Sequence, residues 1–118
     1  MYGLPGNLEL DFFRRKTLLQ ICIGRNDAIF NFDQSVSITV TSSVQLTSPD
    51  GNRERFENFP KAACALAGLA NQIVLSARGN ASGTLTLEFS DGSQLEIFDD
   101  SREFESYTIR NGEQLIIV

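Results

Sequence analysis

Period-two alternation of apolar and polar residues constrains this chain most, because it buries one face of a strand and cannot serve a helix. The clearest case runs from Val36 to Leu46. Val36, Ile38, Val40, Val44 and Leu46 share one parity, and Ser37, Thr39, Thr41, Ser43 and Gln45 share the other. Only Ser42 interrupts the apolar row. The pattern predicts one long strand with a buried face and a hydroxyl-rich face in water.

Two further segments can be read to the level of register. Leu85, Leu87 and Phe89 lie on one face before Ser90-Asp91-Gly92, and Leu95 and Ile97 follow it. A two-residue loop would set Leu87 against Glu96 and mix core with solvent. A three-residue loop with Gly92 in the left-handed position sets Leu87 against Leu95 and Leu85 against Ile97, which keeps the apolar face whole. The same test on Leu18 to Phe32 pairs Ile21 with Phe30 and Leu19 with Phe32 across Arg25-Asn26. Asn111-Gly112 marks a third turn, where two- and three-residue loops both fit.

Between the strand groups lies Pro60-Lys61-Ala62-Ala63-Cys64-Ala65-Leu66-Ala67-Gly68. Proline near the start, alanines within and glycine past the end predict one short helix over about 60–67. Asn71 to Arg78 then reads as a strand with Ile73, Leu75 and Ala77 inward. The two strand groups also look alike. Leu19, Ile21, Ile23 and Asp33 are matched 66 residues later by Leu85, Leu87, Phe89 and Asp99. An internal repeat and two ordinary hairpins both explain such spacing. The expected architecture is mainly β, an antiparallel sandwich or partly open barrel of about eight or nine strands with that one helix.

At 118 residues the chain is expected to form a single domain over 1–118. Histidine is absent, which removes Ser-His-Asp and Cys-His catalysis and imidazole metal ligation. Fifteen acidic against ten basic side chains give a net charge of −5, which argues against nucleic acid as a partner. Cys22 and Cys64 sit in apolar stretches and read as reduced, buried thiols rather than a disulfide framework. The longest uncharged run, Ala62 to Ala77, is shorter than the ~20 apolar residues of a spanning helix, so no membrane is expected. Met1 to Gly6 has neither the basic nor the apolar region of a signal peptide, and the expected location is the cytoplasm.

The densest charge is Asp99-Asp100-Ser101-Arg102-Glu103-Phe104-Glu105. It lacks the ligand spacing and glycine of a calcium loop, and no cofactor is expected. Phe98 has the opposite parity to Leu95 and Ile97, so either a second layer covers its ring or the ring belongs to an interface. Tyr107 reads as a mostly buried ring with its hydroxyl near a polar partner. Phe98, Asp99, Asp100, Arg102, Glu103, Phe104 and Glu105 are therefore the candidate partner surface. The acids would steer a protein with a basic surface and the rings would anchor it. A homodimer through the same strands is the competing arrangement. Without a nucleophile motif, phosphate loop or metal spacing, the chain is expected to be a non-catalytic binding module, with a small carboxylate-dependent hydrolase as the rival.

Three stretches carry a family resemblance. They are Gln20-Ile21-Cys22-Ile23-Gly24 with Phe30-Asn31-Phe32, Val36-Ser37-Ile38-Thr39-Val40 to Ser48-Pro49-Asp50-Gly51, and Glu105-Ser106-Tyr107-Thr108-Ile109-Arg110-Asn111-Gly112 to Ile116-Ile117-Val118. Together they resemble a family of small bacterial domains of unknown function, from about Leu18 onward. Family members often carry a glycine in the turn that here reads Asp33-Gln34-Ser35. The resemblance implies a small cytoplasmic bacterial protein and carries over no catalytic residue. By analogy of size and composition alone, an immunity partner of a toxin is a further alternative.

Overall fold

In a computed structural model describing residues 9–101 and 105–118, the alternating segments form ten strands in two antiparallel sheets, not closed into a barrel. The first sheet has the order β1 (Leu18–Ile23), β2 (Ala28–Phe32), β3 (Val36–Val40), β9 (Tyr107–Asn111), β10 (Gln114–Ile117). The second has the order β5 (Arg53–Phe56), β4 (Val44–Thr47), β8 (Gln94–Ile97), β7 (Leu85–Phe89), β6 (Val74–Gly79). Both contribute to one core, including Phe30, Ile38 and Ile109 from the first and Val44, Leu87 and Leu95 from the second. Helix α1 (Phe59–Ala67) turns Ala62 and Leu66 inward, with Asn58 capping its start by accepting from the Lys61 N–H at 3.1 Å.

The expected register holds around Ser90-Asp91-Gly92, and around Arg25-Asn26 it holds as far as Ile21. Leu87 faces Leu95 and Leu85 faces Ile97 across a three-residue loop, with Gly92 at φ +93°. Ile21 faces Phe30, and at the third turn Asn111 pairs with Gln114 across two residues.

Four expectations need correction. The stretch Val36–Leu46 is two strands in different sheets, which raises the count to ten. The break falls at Thr41-Ser42-Ser43, where the apolar row was already interrupted. Phe32 pairs with Leu18 rather than Leu19, because a bulge between Leu18 and Gln20 reverses the parity and leaves Leu19 exposed. A second bulge between Val74 and Ser76 does the same in β6. Val74 is therefore buried while Ile73 and Leu75 are exposed, and Ala77 returns toward the core. The thiols are free, yet Cys64 is exposed and Cys22 only half-buried. Cys64 lies off the buried stripe of α1, and Cys22 has the outward parity of β1.

The two sheets are built alike. In each half a three-strand meander stays in one sheet and the following hairpin crosses to the other: β1-β2-β3 then β4-β5, and β6-β7-β8 then β9-β10. The equivalence extends to individual hydrogen bonds. Leu18 N–H to Gln72 C=O is matched by Val74 N–H to Lys16 C=O, each at 2.9 Å. Asn71 N–H to Leu18 C=O is matched by Arg15 N–H to Val74 C=O, each at 2.8 Å, and Arg15 and Asn71 both adopt φ 69°. Thr17 bridges to Ile73, its own counterpart, so a pseudo-two-fold axis passes between them. At the opposite end Thr41 N–H to Ser106 C=O is matched by Phe98 N–H to Ser43 C=O. The counterpart of β1 is thus β6, and the 66-residue spacing in the sequence instead sets β1 against β7, which holds a different place in its sheet.

Candidate functional site

The hairpin exchange needs two crossovers, and they differ in length. From Val40 to Val44 the chain uses residues 41–43, whereas from Ile97 to Tyr107 it uses residues 98–106. The acidic candidate segment is this longer crossover. It lies beside the shorter one at the same end of the molecule, because the matched bonds at Ser106 and Ser43 tie the two together.

Asp100 reaches across to the short crossover and accepts hydrogen bonds from the Ser43 N–H at 3.2 Å and from the Ser43 hydroxyl. Arg55 of β5 meets the same carboxylate at 2.9 Å and also donates to Ser43 Oγ at 2.9 Å. Its guanidinium lies 4.3 Å from the centroid of the Phe98 ring. The ring is half-buried, and what covers it is a cation from the edge strand β5, on the far side of β4. Asp99 accepts from the Ser106 hydroxyl at 2.7 Å, and Ser106 Oγ in turn accepts from the Ser101 N–H at 3.1 Å. Two of the predicted acids therefore anchor the loop. Glu105 is exposed, and its carbonyl accepts from Thr41 Oγ1 at 2.8 Å. Arg102, Glu103 and Phe104 lie outside the described residues.

Tyr107 directly follows the long crossover, at the start of β9. It is 1% exposed, and its hydroxyl donates to the Gly83 carbonyl at 2.6 Å. Burial, reinforced by the negative charge of Asp99, pushes the Tyr107 phenol well above its usual value. Gly83 has φ +85°, and a Cβ there would fall 2.6 Å from an Asp99 carboxylate oxygen, so this close approach requires glycine.

An open pocket of about 250 Å³ between the two crossovers and the end of β5 is lined by Thr41, Ser42, Ser43, Glu57, Asp100 and Ser101. The Ser42 hydroxyl is buried beside it with no hydrogen-bond partner among the described residues. Glu57 is 80% exposed and lies 4.0 Å from Arg55 Nε. The sequence reading missed Arg55, Ser43 and Glu57. Their only signal was the Val36–Leu46 pattern break, which brings β4 and β5 beside β8. Among the described residues no three Cys, Asp or Glu side chains gather in a metal-binding group, and no helix is long and apolar enough to cross a membrane.

No curated protein and no solved structure matches the chain. A family model described as a family of unknown function, DUF6188, matches residues 6–118, nearly the whole length, and the chain belongs to that family.

Proposed function

We propose that the chain is a non-catalytic interaction module that meets a protein with a basic surface through the long-crossover end. One observation carries this reading: the short crossover spans the same path in three residues, so the additional residues of 98–106 are not required to close the fold. Charge supports the choice of partner. Glu57, Asp100 and Glu105 lie at this end, where Glu57 and Glu105 are exposed and Asp100 is ion-paired with Arg55. Such an end attracts a cationic surface at long range, and the attraction weakens as salt shortens the Debye length toward ~8 Å.

The hydrolase alternative needs a carboxyl held protonated beside an ionised one. Among the described residues, the carboxylates lining the pocket are Asp100, which is ion-paired with Arg55, and Glu57, which is largely in solvent. That arrangement favours binding over acid–base work. If the basic protein is a toxin, the chain is its immunity partner.

The test is salt-graded affinity capture with wild-type protein and with the Glu57→Lys/Glu105→Lys variant. Both changed side chains are exposed, so the melting temperature should hold. A partner that is recovered by wild type, lost with added salt and lost with the variant supports the reading. Equal recovery by both proteins contradicts it.

A further inference from the structure

Open sheet edges invite pairing with other strands, and folded proteins block them with bulges, charges or cover. Among the described residues, three of the four edges are blocked. β1 and β6 each carry a bulge and bridge one another at Thr17 and Ile73. β5 reads Arg53-Glu54-Arg55-Phe56, with three charged residues in four. β10 reads Gln114-Leu115-Ile116-Ile117, with no charge, bulge or proline. Leu115 and Ile117 are 47% and 45% exposed. They occupy the places that Arg53 and Arg55 hold in the other half: Ile117 faces Thr108 as Arg55 faces Gln45, and Leu115 faces Arg110 as Arg53 faces Thr47.

The hydrogen-bond phase is also set. Val118 and Tyr107 exchange N–H to C=O bonds at 2.9 and 3.3 Å. Alternation along an antiparallel pair then turns the N–H and C=O of Ile117 and Leu115 away from β9, toward the open edge.

We propose that β10 pairs antiparallel with β10 of a second copy, continuing the first sheet across a two-fold axis at Ile116. The edge is self-complementary in that register. Leu115 meets Ile117 of the other copy through both backbone bonds, and the same pair forms again on the far side of the axis, which gives a closed isologous contact. No charged side chain of β10 falls on the seam. Four residues per copy form a small contact beside the roughly 800 Å² per partner of a standard interface, so association is weak and concentration-dependent. Two chains of net charge −5 repel, so added salt strengthens this pairing. A basic partner at the crossover shows the opposite salt response, and the two proposals stand or fall separately.

The test is sedimentation equilibrium of the full chain from ~10 µM to ~1 mM, the range in which small interfaces titrate. Amide exchange at Leu115 and Ile117 is read over the same range. The expected result is a mass rising from one chain toward two, with exchange at those two amides slowing in step. The Leu115→Arg/Ile117→Arg variant copies the β5 edge onto β10 and should weaken association at least ~10-fold. If that variant fails to fold, the concentration dependence of the two wild-type amides still decides. A single-chain mass at the highest concentration, or undiminished association of a folded variant, overturns the proposal.

Discussion

The outer face of the second sheet carries Arg53, Arg55, Arg78, Glu88 and Glu96, whereas the matching positions of the first are Leu115, Ile117, Cys22, Asn31 and Thr39. The contacts correspond even where the chemistry differs. Arg78 pairs with Glu88 at 2.6 Å, and in the same place Asn31 Nδ2 lies 3.8 Å from Cys22 Sγ. The inner faces, by contrast, are apolar in both halves. Ile38 facing Ile109 is matched by Leu95 facing Leu46. The core therefore needs only an apolar pattern and a register, which both halves satisfy. Outer faces and crossovers are under no such demand, so function is best sought where equivalent positions differ.

The largest expected effects test the symmetry of the core. Ile38 and Leu95 are counterparts, each 0% exposed. Ile38→Ala and Leu95→Ala should each lower stability by ~2–5 kcal/mol in denaturant unfolding. A loss below ~1 kcal/mol for either one would break the equivalence of the two inner faces.

Tyr107 sharpens the comparison, because its counterpart Val44 has no hydroxyl to place. Tyr107→Phe removes the donor to Gly83 and leaves a buried carbonyl short of a partner, which should cost ~1–3 kcal/mol. Folding raises the phenol's pKa above its unfolded value of ~10, so the folded state holds this proton more tightly. The associated stability is fully present below pH ~10 and is lost as pH rises from there toward the folded value. In Tyr107→Phe that alkaline fall should flatten. If variant and wild type lose stability in parallel above pH ~10, Tyr107 is not the group responsible.

A smaller effect concerns the turns. Ser35 takes φ 62° at the place where the other half has Gly92. Ser35→Gly relieves a left-handed conformation and should raise stability by up to ~1 kcal/mol in thermal unfolding, with Gly92→Ala lowering it. Destabilisation by Ser35→Gly would show that the unfolded-state entropy of glycine outweighs the strain.

Much of this comparison was legible in the sequence, and the limits have physical causes. The Ser90-Asp91-Gly92 and Arg25-Asn26 registers could be read because a one-residue slip would expose Leu87 or Ile21's row. The helix could be read because proline, alanine and glycine each have a preferred place in one. The bulges at Leu19 and Leu75 could not, since an unpaired leucine looks like any other leucine in an alternating row. The exchange of hairpins was hidden because period-two pattern names the buried face of a strand and not the sheet that receives it. At the site, the parity of Phe98 correctly set it apart from Leu95 and Ile97. That Arg55 covers it follows only once β4 and β5 lie beside β8.

The central claim is that two equivalent halves close the fold, with the long crossover added to it. Deleting residues 99–104 leaves Phe98-Glu105-Ser106 between Ile97 and Tyr107, the same length as Thr41-Ser42-Ser43 between Val40 and Val44. Residue-resolved hydrogen exchange on this variant is the direct measurement. The account predicts slow exchange retained in the central strands β3, β4, β8 and β9, with only a modest loss of overall stability from the Asp99 and Asp100 anchors. Loss of protection in β9 and β10 while the rest of the chain stays folded, or collapse of the whole fold, would contradict it.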